Sequence, residues 1–269
     1  MAPQWQALIL NDYEAVMPLP VRKKWGIQYL FQPAFFQQGG IYSPIPVSKE
    51  TTEQFLKIVM NNFPYAEICM NHSNKIPQIQ YLEATKRSNF ILSLNKTKEE
   101  ITGNFSESFI KNVLKAKKTG LIYEKSDNLS GVIALYRSLY SKRFPSVKKY
   151  DYENFEALGI DLQRKNAVII RKVLNTAGEL LAMILLFQDK NRLYNLMSCT
   201  TPKGRDSEAN YFLFDKLIEE FCKSNKVLDL EGSDIPGIAD FYIRMAPEPE
   251  PYPYIRYNRL PLLLRIFKK

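Results

Sequence analysis

The chain is short of the residues that carry the best-known nucleophilic and metal chemistry. Its 269 residues include one histidine and three cysteines. Cys69, Cys199 and Cys222 are odd in number and widely spaced, which argues against a disulfide framework and fits no zinc-ligand pattern. Each is expected to behave as a small hydrophobe, and no metal site is expected. His72 sits in the polar, turn-like Asn71-His72-Ser73-Asn74, a setting for a solvated loop residue rather than the base of a Ser–His or Cys–His pair. Long apolar runs are missing too. Leu180–Phe187 and Leu260–Leu264 are far too short to span a bilayer. The opening Met1-Ala2-Pro3-Gln4-Trp5 has neither a basic n-region nor an apolar h-region, so no secretory signal is expected and a cytoplasmic location is the default.

What is present suits a globular protein. Hydrophobic residues make up 45% of the chain, aromatics 13% and charged residues 24%, enough to fill one large core or two of ordinary size. The net charge of +9 is uneven along the chain. Residues 106–150 hold ten Lys/Arg against three Asp/Glu, whereas residues 151–269 hold seventeen of each. A local excess of that kind suits a polyanionic partner such as RNA, the alternative being a solvated basic face.

Short strands separated by turns open the chain: Trp5–Leu10, Ala15–Arg22 and Ile27–Phe31. Ser48 caps an expected helix that Pro64 ends, and strands follow at Ala66–Met70 and Asn89–Leu94. In Ser106–Thr119 the residues Phe109, Ile110, Val113 and Leu114 define an apolar stripe, with Lys111, Lys115 and Lys118 stacked on the other face. A brief strand at Leu121–Tyr123 and a helix at Leu129–Phe144 come next. The pattern then sharpens into three strands, Ala167–Leu174, Leu180–Gln188 and Leu193–Ser198, and a strong helix, Asp206–Ser224. A strand at Val227–Leu230, a helix at Gly237–Met245, a strand at Tyr252–Tyr257 and a helical tail complete an α+β pattern.

Several of these segments resemble one family. Leu180–Phe187 is similar to the central strand of acetyltransferase-like (GNAT) domains, and Asn210–Phe221 to the helix that follows it. Val227-Leu228-Asp229-Leu230-Glu231-Gly232 resembles a strand end of the FemAB-type peptidyltransferases, and Gly237-Ile238-Ala239-Asp240-Phe241-Tyr242 their next helix. The basic 110–120 helix resembles the one that joins the two domains of that family. The resemblance implies two acetyltransferase-like mixed-sheet domains in tandem: a degenerate one over 1–118 and a better-supported one over 119–269, whose tail returns to the first.

It also implies a site where two central parallel strands splay apart, at the ends of Leu193–Ser198 and Val227–Leu230. Tyr242 matches the tyrosine that protonates a departing thiolate, although Phe241-Tyr242 on an amphipathic helix is equally what packing requires. Asp229 and Glu231 alternate on one side of a strand end, where crowding would raise one carboxyl into the range of a general base. Accepting backbone hydrogen bonds in the Gly232-Ser233 turn is the commoner fate of such residues. Ser198, Asn210, Ser233 and Asp234 are the expected substrate contacts.

For the donor, coenzyme A enzymes of this fold cradle the pyrophosphate in an R/Q-x-x-G-x-G/A loop. The matching stretch here is Arg205-Asp206-Ser207-Glu208-Ala209-Asn210, in which Glu208 replaces the first glycine. Lys203, Gly204 and Arg205 remain as donor contacts, joined by Lys111, Lys115 and Lys118 if the donor is an aminoacyl-tRNA. Three functions follow as expectations. One is FemAB-like transfer of an acyl or aminoacyl group onto an amine, the acceptor being a cell-envelope precursor. Another is acetyl-CoA-dependent N-acetyl transfer to a small amine or sugar. The third is non-catalytic binding on the same fold.

Overall fold

The computed structural model describes residues 4–232 and 236–265. The chain forms two compact units, one from residues 1–88 with 250–269 and one from 89–249.

The first unit opens with strands β1 (Gln4–Leu10), β2 (Ala15–Lys24) and β3 (Ile27–Leu30), an antiparallel meander. The β2–β3 turn places Trp25 at φ 51° and Gly26 at φ 79°, the pair of left-handed residues that a two-residue hairpin demands. Met17, Leu19 and Val21 alternate along β2 and are buried against helix α1 (Lys49–Asn62). Helix α1 starts where Ser48 Oγ accepts the Thr51 N–H at 3.1 Å, and its buried stripe is Phe55, Leu56, Val59 and Met60. Phe63, held extended before Pro64, ends it. Strand β4 (Tyr65–Cys69) then runs parallel to β3, and β5 (Glu83–Arg87) lies at the sheet edge.

The second unit begins with β6 (Phe90–Ser93), α2 (Lys98–Thr102), α3 (Glu107–Lys117), β7 (Ile122–Ser126), α4 (Leu129–Tyr140) and α5 (Lys149–Arg164). A second meander follows: β8 (Val168–Leu174), β9 (Leu180–Gln188) and β10 (Arg192–Thr200). After it come α6 (Pro202–Asp206), α7 (Ala209–Phe221), β11 (Val227–Asp229), α8 (Pro236–Ile243) and β12 (Glu248–Pro249). The sheet order is β12-β6-β11-β10-β9-β8-β7, with β10 and β11 parallel. Leu181–Leu186 of β9 are all buried, so this central strand is covered on both faces and reads as a continuous apolar run. Phe109 and Val113 of α3 share a core with Phe212, Leu213 and Leu217 of α7. Phe155 of α5 stacks on Phe187 with ring centroids 5.3 Å apart.

The chain returns to the first unit as β13 (Tyr252–Asn258), which inserts between β4 and β5, and ends in the short helix α9 (Leu262–Arg265). Each unit therefore holds a three-stranded meander, a helix and a strand parallel to the last of the three. The expected division at 118/119 lies instead at 88/89 and 249/250. Its physical cause is that β6 pairs with β11, Leu92 opposite Leu228, while α3 packs within the core of the second unit. The sequence reading missed β5, whose five residues are mostly exposed and lack apolar alternation, as well as α5 and the short α2, α6 and β12.

Candidate active site

The second unit contains a cavity of about 800 Å³. It exists because β10 and β11 pair over only three positions, Arg192–Tyr194 with Val227–Asp229, after which β10 continues to Thr200 and β11 stops. A bulge shifts the β9–β10 register between Asn195 and Met197, releasing Leu196 from the ladder on that side. Asn195, Leu196, Ser198 and Thr200 of β10 line one wall, and Leu230, Glu231 and Gly232 the end of the opposing strand. Tyr136 and Tyr140 of α4, with Phe241 and Tyr242 of α8, supply aromatic surface.

Glu231 is partly buried at the cavity wall, in the left-handed conformation with φ 54°. Burial pushes its carboxyl up to about 8; the charge of Asp229 adds to the shift and Arg192 opposes it. Tyr242 is 7% exposed, and its hydroxyl oxygen accepts a hydrogen bond from Asn195 Nδ2 at 3.0 Å. Burial first, then the nearby Glu231, raises the phenol above its ordinary range. Asn195 is itself 4% exposed, and among the described residues its Oδ1 has no hydrogen-bond partner. A buried amide oxygen left unmatched costs roughly 1–3 kcal/mol, which a ligand N–H in this cavity would offset.

Gly204 marks the closest backbone approach. A Cβ there would lie 2.2 Å from the Leu181 carbonyl oxygen, so only glycine lets α6 pack on β9. Next to it, Arg205 Nη1 donates to Thr200 O at 3.1 Å and lines the cavity with Arg143. Glu208 occupies the N-terminus of α7, in left-handed conformation, with its carboxylate 2.8 Å from Lys115 Nζ.

No protein-family model matches the chain, and no curated protein resembles it in sequence. Solved structures do resemble it. FemX aligns over 98% of this chain and 91% of its own, with a TM-score of 0.66 and 13% identity. The C-terminal domain of a putative lysylphosphatidylglycerol synthetase from Agrobacterium fabrum aligns over 98% and 87%, with a TM-score of 0.60 and 10% identity. L-PGS from Bacillus licheniformis gives 98% and 87%, 0.58 and 11%. The chain shares the α+β fold of these structures.

Within this fold the expected residues separate. Tyr242, Glu231, Ser198, Asn210, Gly204 and Arg205 all line the one cavity, and Ser198 Oγ donates to Asn210 Oδ1 at 3.3 Å. Asp229 does not line it. Its Oδ2 lies 2.6 Å from Arg192 Nη1, and its Oδ1 accepts the Glu231 N–H at 2.9 Å. Lys203 pairs outside the cavity with Glu179 at 2.7 Å. Lys111, Lys115 and Lys118 are exposed and do not line it. Ser233 and Asp234 lie outside the described residues. Cys199 is fully buried and its thiol is pushed up to about 12, which removes it as a nucleophile. Among the described residues no cluster of His, Cys, Asp and Glu could hold a metal ion, and no helix is long and apolar enough to cross a membrane.

Sequence reasoning missed Asn195, Tyr136 and Tyr140. Asn195 had one signal: an amide inside the apolar run Leu193-Tyr194-Asn195-Leu196-Met197. The other two sit on α4, where nothing in the periodicity distinguishes a cavity wall from core.

Proposed function

We propose that the cavity of the second unit is an acyl-transfer site that moves an acyl or aminoacyl group onto an amine. The observation that carries this is the convergence of a carboxyl raised to about 8, Glu231, and a buried phenol, Tyr242, where two parallel strands separate. An amine reaches neutral solution as an ammonium ion and must lose a proton before it attacks. The Glu231 carboxylate takes that proton, having an affinity matched to neutral pH. The amine nitrogen then bonds to the donor's carbonyl carbon, and the carbonyl oxygen becomes an oxyanion. The Leu196 amide, at the bulge in the cavity wall, stabilises it in this reading. As the bond from carbon to the leaving oxygen or sulfur breaks, the Tyr242 hydroxyl protonates the leaving atom, and the second proton of the new amide nitrogen returns the phenolate to phenol. Asn195 holds the phenol in place and offers its Oδ1 to an N–H of the acceptor.

The donor reading favours an aminoacyl-tRNA over coenzyme A. Glu208 and Lys115 form an internal ion pair at the start of α7, where a pyrophosphate would otherwise use the helix dipole. Arg143, after α4, and Arg205, before α7, line the cavity. The acceptor would be an amine-bearing cell-envelope precursor, reached from the cytoplasm. The two units would be tandem acetyltransferase-like domains, a reading supported by the meander, helix and parallel strand found in each.

The test is turnover of a labelled aminoacyl-tRNA and of acetyl-CoA with amine acceptors. Transfer from the tRNA, lost by about 10²–10⁴-fold in Glu231→Gln and Tyr242→Phe with circular dichroism unchanged, is the expected result. Transfer from acetyl-CoA alone would move the assignment to a small-molecule N-acetyltransferase. Binding without transfer from either donor, unchanged in both variants, would sink the enzyme reading.

A further inference from the structure

The basic excess of this protein sits elsewhere in space than along the chain. The first unit holds thirteen Lys/Arg against seven Asp/Glu, while the second, which contains the lysine-rich 106–150 segment, holds twenty-four against twenty-one. In the second unit, acids distant in sequence neutralise the lysines: Lys115 meets Glu208, and Lys117 meets Asp215 at 2.9 Å.

The first unit has a surface where such neutralisation fails. The tip of the β2–β3 hairpin exposes Trp25 to 60%, and α9 exposes Leu262 and Leu263 to 78% and 81%. Both elements stand on one apolar cluster. Ile27, two residues beyond Trp25, and Leu264, next to Leu263, pack on Tyr29, Phe31, Tyr65 and Leu260. The outward side chains are thus carried by a packed base. Around them lie Arg22, Lys23, Lys24, Arg259 and Arg265, none of which has a carboxylate partner among the described residues. Arg22 stands 3.8 Å over the Phe31 ring, Lys24 4.4 Å over Trp25 and Arg259 5.9 Å over Tyr257. Arg265 Nε donates to the Leu260 carbonyl, at 2.7 Å.

We propose that this face docks on an anionic lipid bilayer. Five cations without carboxylate partners call for a polyanion, and an exposed indole with two exposed leucines calls for an apolar phase beside it. A bilayer interface offers both within one headgroup depth: phosphates and anionic headgroups for the arginines and lysines, and the acyl boundary for Trp25, Leu262 and Leu263. A nucleic acid would neutralise the cations but leave both leucines in water. The docking face belongs to the first unit and is independent of the chemistry assigned to the second.

Vesicle partitioning of the full chain tests it, using phosphatidylcholine alone and phosphatidylcholine with about one third phosphatidylglycerol. The chain has two tryptophans, so Trp5→Phe leaves Trp25 as the sole indole reporter. Anionic vesicles should raise the bound fraction about tenfold over neutral ones at low salt and shift Trp25 emission to the blue. The double variants Leu262→Ser/Leu263→Ser and Lys23→Glu/Lys24→Glu should each lower partitioning about tenfold, with an unchanged melting curve because all four residues are surface-borne. Partitioning that the variants leave intact, or a Trp25 spectrum that vesicles do not move, overturns the proposal. So does loss of tRNA binding in the charge variant without loss of vesicle binding, which would mark a nucleic-acid surface instead.

Discussion

Three side chains carry most of the argument at the site, and each shows a different relation between residue type and environment. Glu231 is an ordinary carboxyl made unusual by burial beside Asp229. Its folded value lies above the reference value of 4.5, so between about 4.5 and 8 the native state binds more protons than the unfolded chain. Stability contributed by this group is therefore present at low pH and is lost as pH rises through that window, by at most about 1.4 kcal/mol per pH unit. Urea denaturation at several pH values should show that slope, and Glu231→Gln should flatten it. The same value predicts that kcat/KM climbs with pH towards a plateau above about 8. Asp229→Asn, which removes the neighbouring charge and frees Arg192 to act on Glu231, should move the climb to lower pH. Asn195→Ala removes both the partner of Tyr242 and the unmatched Oδ1. It should raise KM for the acceptor as well as lower kcat, whereas a purely structural role would change only the melting temperature.

The elements explain why these residues meet. Strand β11 is three residues long and β10 nine, and the site is the gap left where the shorter one ends. Helix α6 reaches that gap only because Gly204 can lie against the Leu181 carbonyl. Gly204→Ala should therefore destabilise the second unit by roughly 1–3 kcal/mol through overpacking, read as a lower urea midpoint with an unchanged m-value. Most elements were legible because their patterns are local: the Ser48 cap, the stripe of α1 and the apolar run of β9 each announce themselves within a dozen residues. Strand β5 was not legible, since its pairing with β13 comes from a segment more than 160 residues away and its own side chains are exposed. Separation along the chain likewise hid the fate of Lys115, whose partner Glu208 lies 93 positions on.

At the scale of the whole molecule, the chain closes its first unit with its last strand. Ending the chain at Pro249 would remove β13 from between β4 and β5, dividing that sheet, while every strand of the second unit would be kept. Such a truncation should abolish cooperative unfolding of the first unit. Amide exchange should lose its protection in β4 and β5 but keep it in β8–β10, and equal loss in both would contradict the division into units.

What the sequence determined by itself is what neighbours along the chain can decide: the α+β class, most strands and helices, the unsuitability of the cysteines and histidine, and Tyr242, Glu231 and Gly204 as residues to inspect. Only the tertiary structure decided which charges remain unpaired, that Asp229 serves Arg192 and the turn rather than the cavity, and that Asn195 faces it with an unmatched oxygen. The reason is physical. Helical and strand periodicities are set by local sterics and burial over a few residues, but desolvation and ion pairing depend on what the folded chain brings within a few ångströms, whatever the separation in sequence.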